Sequence, residues 1–128
     1  MLKKYFLISL SIFVLSCKDS PGVEDVQKII DTSIEVAGGE LYKTSNISFR
    51  FRDIDYVLEH QKGTRALMRM QYTDSGTVTD IKKGNSFERM LNEERVSVTD
   101  SMATVYGNSV NSVHYFALLP YGLNDPAV

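Results

Sequence analysis

Histidine is the side chain in this sequence best suited to metal binding or acid–base chemistry, and it is scarce. The chain has two histidines, His60 and His114, and neither has a second histidine two or four residues away. A zinc site of the usual His/Cys kind needs several such ligands at close spacing. We therefore expect no metal and no cofactor.

Aspartates are more numerous, and they fall beside expected turns. Asp53 and Asp55 flank one expected turn, and Asp74 and Asp80 flank another. A calcium loop counted from Asp53 fails, because the third ligand position would be Val57. We interpret these aspartates as turn formers.

No motif of a known catalytic site is present. The sequence has no Gly-x-Ser-x-Gly elbow, no phosphate-binding glycine loop and no Gly-x-Gly-x-x-Gly. Glu88 with Glu93 or Glu94 offers paired carboxylates, but in a meander we expect them on the solvated face. A reactive lysine of the aldolase kind stays open in principle. We expect no enzyme, with a small hydrolase or aldolase as a remote alternative.

Cys17 is the one cysteine of the chain, so no intramolecular disulfide can form. Ahead of it, Lys3 and Lys4 precede an apolar run from Tyr5 to Leu15. This run has the length of a signal-peptide core and is about half of the ~20 residues that a membrane-spanning helix needs. We therefore predict a cleaved signal peptide over residues 1–16.

The residues around the predicted cleavage point resemble a known processing motif. Val14-Leu15-Ser16-Cys17 is similar to the lipobox of bacterial lipoproteins, in which signal peptidase II cuts before a cysteine that carries diacylglycerol. The resemblance implies lipidation of Cys17, a tether over residues 17–22 and a lipid-anchored protein of the cell envelope. The alternative is an ordinary signal peptide followed by an incidental buried cysteine.

Charge and length limit the remaining function classes. Removing Lys3 and Lys4 with the signal peptide from the 14 basic residues leaves 12, against 16 acidic ones. The basic residues form no stripe, so we expect no nucleic-acid partner. Lys18 follows the cysteine where an aspartate would signal inner-membrane retention, which favours the outer membrane and leaves the membrane face open.

Hydrophobic periodicity predicts a helix at the start of the mature chain. From residue 22 to residue 37, apolar side chains recur at spacings of three and four: Val26, Ile29, Ile30, Ile34 and Ala37. Ser20 with Pro21 suits the helix start. Gly38 and Gly39 suit its end.

The period then changes from 3.6 to 2, which predicts strands. The expected strands, separated by turns every 8 to 12 residues, are 47–52, 56–61, 66–72, 77–81, 86–91 and 95–98. Afterwards we expect a helix from Ser101 to Tyr106, an interruption at Gly107 and Asn108, and a second helix from Ser109 to Leu119 with Val110, Val113, Phe116 and Ala117 on one face.

This order predicts an α+β fold: a curved antiparallel β-meander, or partial open barrel, with an N-terminal helix and a C-terminal helical segment. We expect one domain over residues 23–128. Alternate strand positions carry aromatic and methionine side chains, which are candidates for the lining of an apolar cavity or else plain core: Phe49, Phe51, Met68, Met70 and Tyr72.

Several segments resemble a family of small envelope lipoproteins from flavobacteria and other Bacteroidetes. They are Ala37 to Gly39, Leu41-Tyr42, Ile47 to Arg52, Asn108 to Pro120 and Leu123 to Ala127. The family is uncharacterised, and its fold is similar to carriers of the lipoprotein-localisation type, an unclosed antiparallel barrel around helices. Family members continue with further strands, so the resemblance implies that this chain is truncated, an incomplete half-barrel.

Three functions follow as hypotheses. The first is a non-catalytic carrier that holds an apolar ligand such as a lipid in the concave sheet. The second is an interaction or structural lipoprotein that docks onto another envelope protein. The third is the small enzyme.

Overall fold

The computed structural model describes residues 22–61 and 63–125. Three helices are α1 (Val23–Ala37), α2 (Leu41–Thr44) and α3 (Asp100–Ala117). Six strands are β1 (Ile47–Phe51), β2 (Ile54–Gln61), β3 (Thr64–Thr73), β4 (Gly76–Lys83), β5 (Ser86–Leu91) and β6 (Glu94–Val96). The predicted signal peptide and Cys17 lie outside the described residues, as do Ser20 and Pro21, which were predicted at the helix start.

Helix α1 confirms the predicted N-terminal helix within a residue. Gly38 ends it with a φ of 153°, and its N–H donates to the carbonyls of Ile34 and Glu35. Only part of the apolar stripe is covered: Ile30 and Ile34 are half-buried, whereas Ile29 is 61% exposed. Most of the apolar surface of α1 is therefore free of contact with the other described elements.

The strands confirm the meander, with one turn displaced. The turn between β1 and β2 consists of Arg52 and Asp53, both with positive φ. This pair gives the twist that a two-residue hairpin turn requires. Asp55 belongs to β2, so its interpretation as a turn residue was wrong.

Helix α3 is continuous, and the predicted interruption at Gly107 was wrong. A helical glycine costs about 1 kcal/mol relative to alanine, but tertiary packing readily overrides propensity. Gly107 is buried, and a Cβ built on it would lie 3.6 Å from Phe87. The buried face runs through Gly107, Val110 and His114. Phe116, expected on that face, is 70% exposed.

The six strands form one open sheet in the order β1-β2-β3-β4-β5-β6, each antiparallel to its neighbour. The α+β meander with helices at both ends is therefore confirmed. Directly opposed residues of antiparallel strands point to the same side. Arg69 contacts Ser109 of α3, so the row through Arg69 defines the inner face. The opposite side is the outer face.

The core beneath α3 contains a buried ion triad. Asp80 is 1% exposed and accepts hydrogen bonds from two guanidiniums on neighbouring strands, Arg69 of β3 and Arg89 of β5. Arg69 also donates to Ser109 at 2.8 Å, and Arg89 lies 3.6 Å from the ring centroid of Tyr106. The hydrogen bond to Asp80 raises the pKa of Arg89. Asp80 was therefore wrongly interpreted as a turn residue.

We expect Asp80→Asn to be strongly destabilising. The amide leaves the buried guanidinium of Arg69 and the half-buried guanidinium of Arg89 without a carboxylate, which costs about 3 kcal/mol of the free energy of unfolding. Urea unfolding followed by circular dichroism measures the loss. The control is Asp74→Asn, an exposed turn residue that should change the free energy by less than about 0.5 kcal/mol. Equal effects of the two substitutions would contradict a structural role for the triad.

Candidate functional site

The five residues predicted to line an apolar cavity are divided between the two faces of the sheet. Phe49 pairs with Tyr56, which pairs with Arg69, so Phe49 points to the inner face, as does Phe51 two residues later. Met68, Met70 and Tyr72 alternate with Arg69 and point to the outer face. The five side chains therefore do not line one cavity.

The two inner-face aromatics have different surroundings. Phe49 stacks on Tyr56 at 5.2 Å and meets the edge of His114 at 5.5 Å, which makes it part of the core under α3. Phe51 lies at the end of β1, where it is 46% exposed beneath the guanidinium of Arg52. Neither side chain lines the cleft between α1 and the sheet.

The outer face carries a half-exposed apolar centre between polar ends. The centre contains the side chains of Val57, Met68, Met70, Ile81 and Met90.

At one end of the outer face, Asp55 accepts bonds from Arg50 and from the Tyr72 hydroxyl. These hydrogen bonds lower the pKa of Asp55 to about 2, and the bond from Arg50 has the largest effect. At the other end, Arg95 pairs with Glu88 at 3.2 Å.

A large open cleft lies on the inner side of the sheet, between α1 and the sheet. Its volume is about 940 Å³, within the range of small-molecule sites. Ile34 and Glu35 of α1 form one wall, and Arg65 and Leu67 of β3 form the floor. The remaining lining comes from four regions: Asp31 of α1; Gly39, Glu40 and Lys43 around α2; Lys82 and Gly84 at the end of β4; and Asn111, His114, Tyr115, Leu118, Tyr121, Gly122, Asn124 and Asp125 of α3 and the segment after it.

The segment after α3 connects α1 to the rest of the molecule. Asn124 donates to the carboxylate of Asp31 on α1 at 3.1 Å. Tyr121 stacks on Tyr42 of α2, with ring centroids 5.0 Å apart, and the Tyr42 hydroxyl donates to the carbonyl of Ala37. These contacts hold one side of α1, and the cleft remains open on the other.

His114 lies where the cleft meets the core. It is 1% exposed, and its Nε2 is 3.1 Å from the carbonyl oxygen of Met68. Since only an N–H can donate to a carbonyl, Nε2 carries the proton and Nδ1 is the unprotonated nitrogen of the neutral ring. Burial lowers the pKa of His114, although the bond to Met68 opposes this shift, and the charge of Arg65 lowers it further. Nδ1 has no hydrogen-bond partner in residues 22–61 and 63–125.

Arg65 is the cation on the floor of the cleft. It pairs across the strands with His60, and its guanidinium carbon lies 5.6 Å from the ring centroid of Tyr121. Its Nε is buried, and within the described part of the chain no hydrogen-bond acceptor reaches it. Both ring nitrogens of His60 are also buried and have no hydrogen-bond partner among the described residues. Unsatisfied polar atoms therefore concentrate at this end of the sheet.

Among residues 22–61 and 63–125, no group of three His, Cys, Asp or Glu side chains is placed to hold a metal ion. No helix in this part of the chain is long and apolar enough to cross a membrane. The sequence singled out His60 and His114 by their rarity, but it missed Arg65, because nothing local distinguishes that arginine from the others.

The chain belongs to a protein family: its residues 3–128 match the Family of unknown function (DUF6503). This confirms the expectation of an uncharacterised family. No curated protein and no solved structure matches the chain.

We expect the stability of the protein to fall on mild acidification through His114. The folded state lowers the pKa of this side chain from its ordinary value of 6.5, so the unfolded chain takes up a proton more readily. The free energy of unfolding should therefore decrease as the pH drops through this value, and level off below the folded-state pKa. Urea titrations at about pH 7.5 and 5.5 measure the difference.

His114→Gln should remove this pH dependence, because glutamine keeps a donor for the Met68 carbonyl and does not titrate. Asp55→Asn is the control, since its carboxyl titrates near pH 2 and should leave the difference unchanged. A pH dependence that persists in His114→Gln would show that another group causes it.

Proposed function

We propose that this member of the family is a lipid-anchored lipoprotein of the cell envelope whose domain binds, without catalysis, a ligand with an apolar part. The open cleft between α1 and the sheet is the observation that supports ligand binding. The lipid anchor is supported by residues 14–17, which are similar to a lipobox. The outer membrane is the proposed address.

The lining of the cleft supports an amphipathic ligand. Its apolar surface comes from three elements, with Ile34 on α1, Leu67 on β3 and Leu118 after α3. Beside them, Arg65 Nε and His114 Nδ1 are polar atoms without partners among the described residues. A few convergent polar groups beside apolar walls are typical of ligand sites. The Arg69–Asp80–Arg89 triad and α3 occupy the middle of the inner face, so we place the ligand at its end.

The anchor is tested by Cys17→Ala. We expect this variant to take up no labelled palmitate and to remain unprocessed or soluble, because the thiol that accepts the lipid is gone. Metabolic labelling and membrane fractionation measure the two effects. Ser20→Ala, three residues further on, is the control and should label normally. Normal labelling of the Cys17→Ala protein would overturn the lipobox interpretation.

Binding is tested by filling the cleft from α3. Asn111 is exposed and lines the cleft, so Asn111→Trp should obstruct it and weaken the binding of a dansylated fatty acid by about tenfold or more. Asn108→Trp is the matched control, since Asn108 is exposed on the same helix but does not line the cleft. Fluorescence titration measures both affinities.

Comparison of the two variants locates the binding site. Wild-type protein that binds no probe, or equal weakening by both tryptophans, would overturn the cleft as an apolar site. Circular dichroism checks that both variants fold.

Docking onto another envelope protein is the second candidate function, and the outer face favours it. Met68, Met70 and Met90 project from this face, while α1 and α3 lie on the inner side. Flexible, polarisable methionines are common at surfaces that accept varied partners. If the protein instead docks onto an envelope protein, the cleft variants would not change its association with that partner. Charged substitutions on the outer face would abolish this association.

A further inference from the structure

Four of the charged residues that line the cleft are divided by sign between two of its walls. Arg65 and Lys82 belong to the sheet, whereas Asp31 and Glu35 belong to α1. No ion pair joins the two sets in the described residues, although all four side chains line the same space. This separation has a consequence for the charge of a ligand.

The sheet side keeps its positive charge. Arg65 is half-buried and forms no ion pair with a carboxylate in residues 22–61 and 63–125. Lys82 donates to the carbonyl of Gly84 at 2.8 Å, a bond that leaves its charge in place. A half-buried guanidinium without a carboxylate gains more from an anion than one in free solution, because charge-assisted bonds strengthen as water is excluded.

The α1 side keeps its negative charge. Asp31 accepts hydrogen bonds from the neutral amides of Gln27 and Asn124. Glu35 is exposed, and its carboxylate has no hydrogen-bond or ion-pair partner in the described part of the chain. By contrast Glu40, another carboxylate of the lining, is neutralised by Lys43 at 2.6 Å.

We propose that the cleft recognises a zwitterionic head group, with its anion at Arg65 and its ammonium at Glu35. A purely anionic head would face the carboxylates of α1, and a purely cationic head would face Arg65. A head that carries a phosphate or carboxylate together with an ammonium complements both walls. The apolar part of the ligand then lies along Leu67 and Leu118. This placement rests on the proposed function, the binding of a ligand with an apolar part.

The same head-group chemistry occurs on a lipid and on a free small molecule. Competition against the dansylated fatty acid, on the full-length protein in a nonionic detergent, separates these sources. Four competitors are compared: lysophosphatidylethanolamine, lysophosphatidylglycerol and an alkylamine with the same chain length, and phosphoethanolamine without a chain. We expect lysophosphatidylethanolamine to compete best, at about threefold lower concentration than lysophosphatidylglycerol.

Two substitutions assign the two charges. Glu35→Gln should abolish the preference for the ethanolamine head while leaving the affinity for lysophosphatidylglycerol equal or higher. Arg65→Gln should weaken both phosphate-containing lipids by about tenfold. Glu24→Gln, on the same helix but outside this cleft, is the control and should retain the preference.

Each outcome decides between the proposals. Equal competition by the zwitterionic and anionic lipids, or a preference that survives Glu35→Gln, overturns the zwitterionic head and leaves the apolar site intact. Failure of all three amphiphiles overturns the apolar site as well. Competition by phosphoethanolamine as strong as that of the lipid supports the head-group assignment and shows that a free zwitterion is the ligand.

Discussion

The pairing of one buried carboxylate with two arginines constrains the rest of this fold. Asp80 lies on the central strand β4, and its partners Arg69 and Arg89 lie on the strands to either side. A shift of one residue in either register would turn one partner to the opposite face and leave a buried charge unpaired, which is costly. The same arginines contact Ser109 and Tyr106, so the triad also sets how α3 lies on the sheet.

This use of the inner face determines where a ligand has room. A concave sheet with an empty apolar surface would hold a ligand at its centre, but here the centre is occupied by α3 and by charges that satisfy one another. The open volume lies instead beside α1, a helix with few contacts to the sheet and with Ile29 largely exposed. Its walls consist of elements from both ends of the chain.

Local patterns in the sequence predicted the elements well and their relative placement poorly. Alternation from Ile47 onwards indicated strands, and the spacing of Ile30 and Ile34 with Gly38 indicated α1. The assignment of Phe49 and Met68 to one cavity failed because faces depend on the register between strands, and no single strand encodes that register. Asp80 lies inside the strand predicted over residues 77–81, and it was mistaken for a turn former because its partners Arg69 and Arg89 lie on other strands, which no local pattern shows. The cleft residues Glu35, Arg65 and His114 come from three distant segments, so no local signal joins them.

The simple strand order also affects how the chain folds. Every strand pairs with its neighbours in sequence, so the sheet is a series of local hairpins, and the partners of Asp80 are 11 and 9 residues away. Contacts of α3 are far less local: Ser109 is 40 residues from Arg69, and His114 is 46 from Met68. Because loop-closure entropy rises with chain separation, the hairpins and their ion triad can form early. Docking of α3 closes longer loops, and the contact between Asn124 and Asp31 of α1 closes the longest of these, at 93 residues.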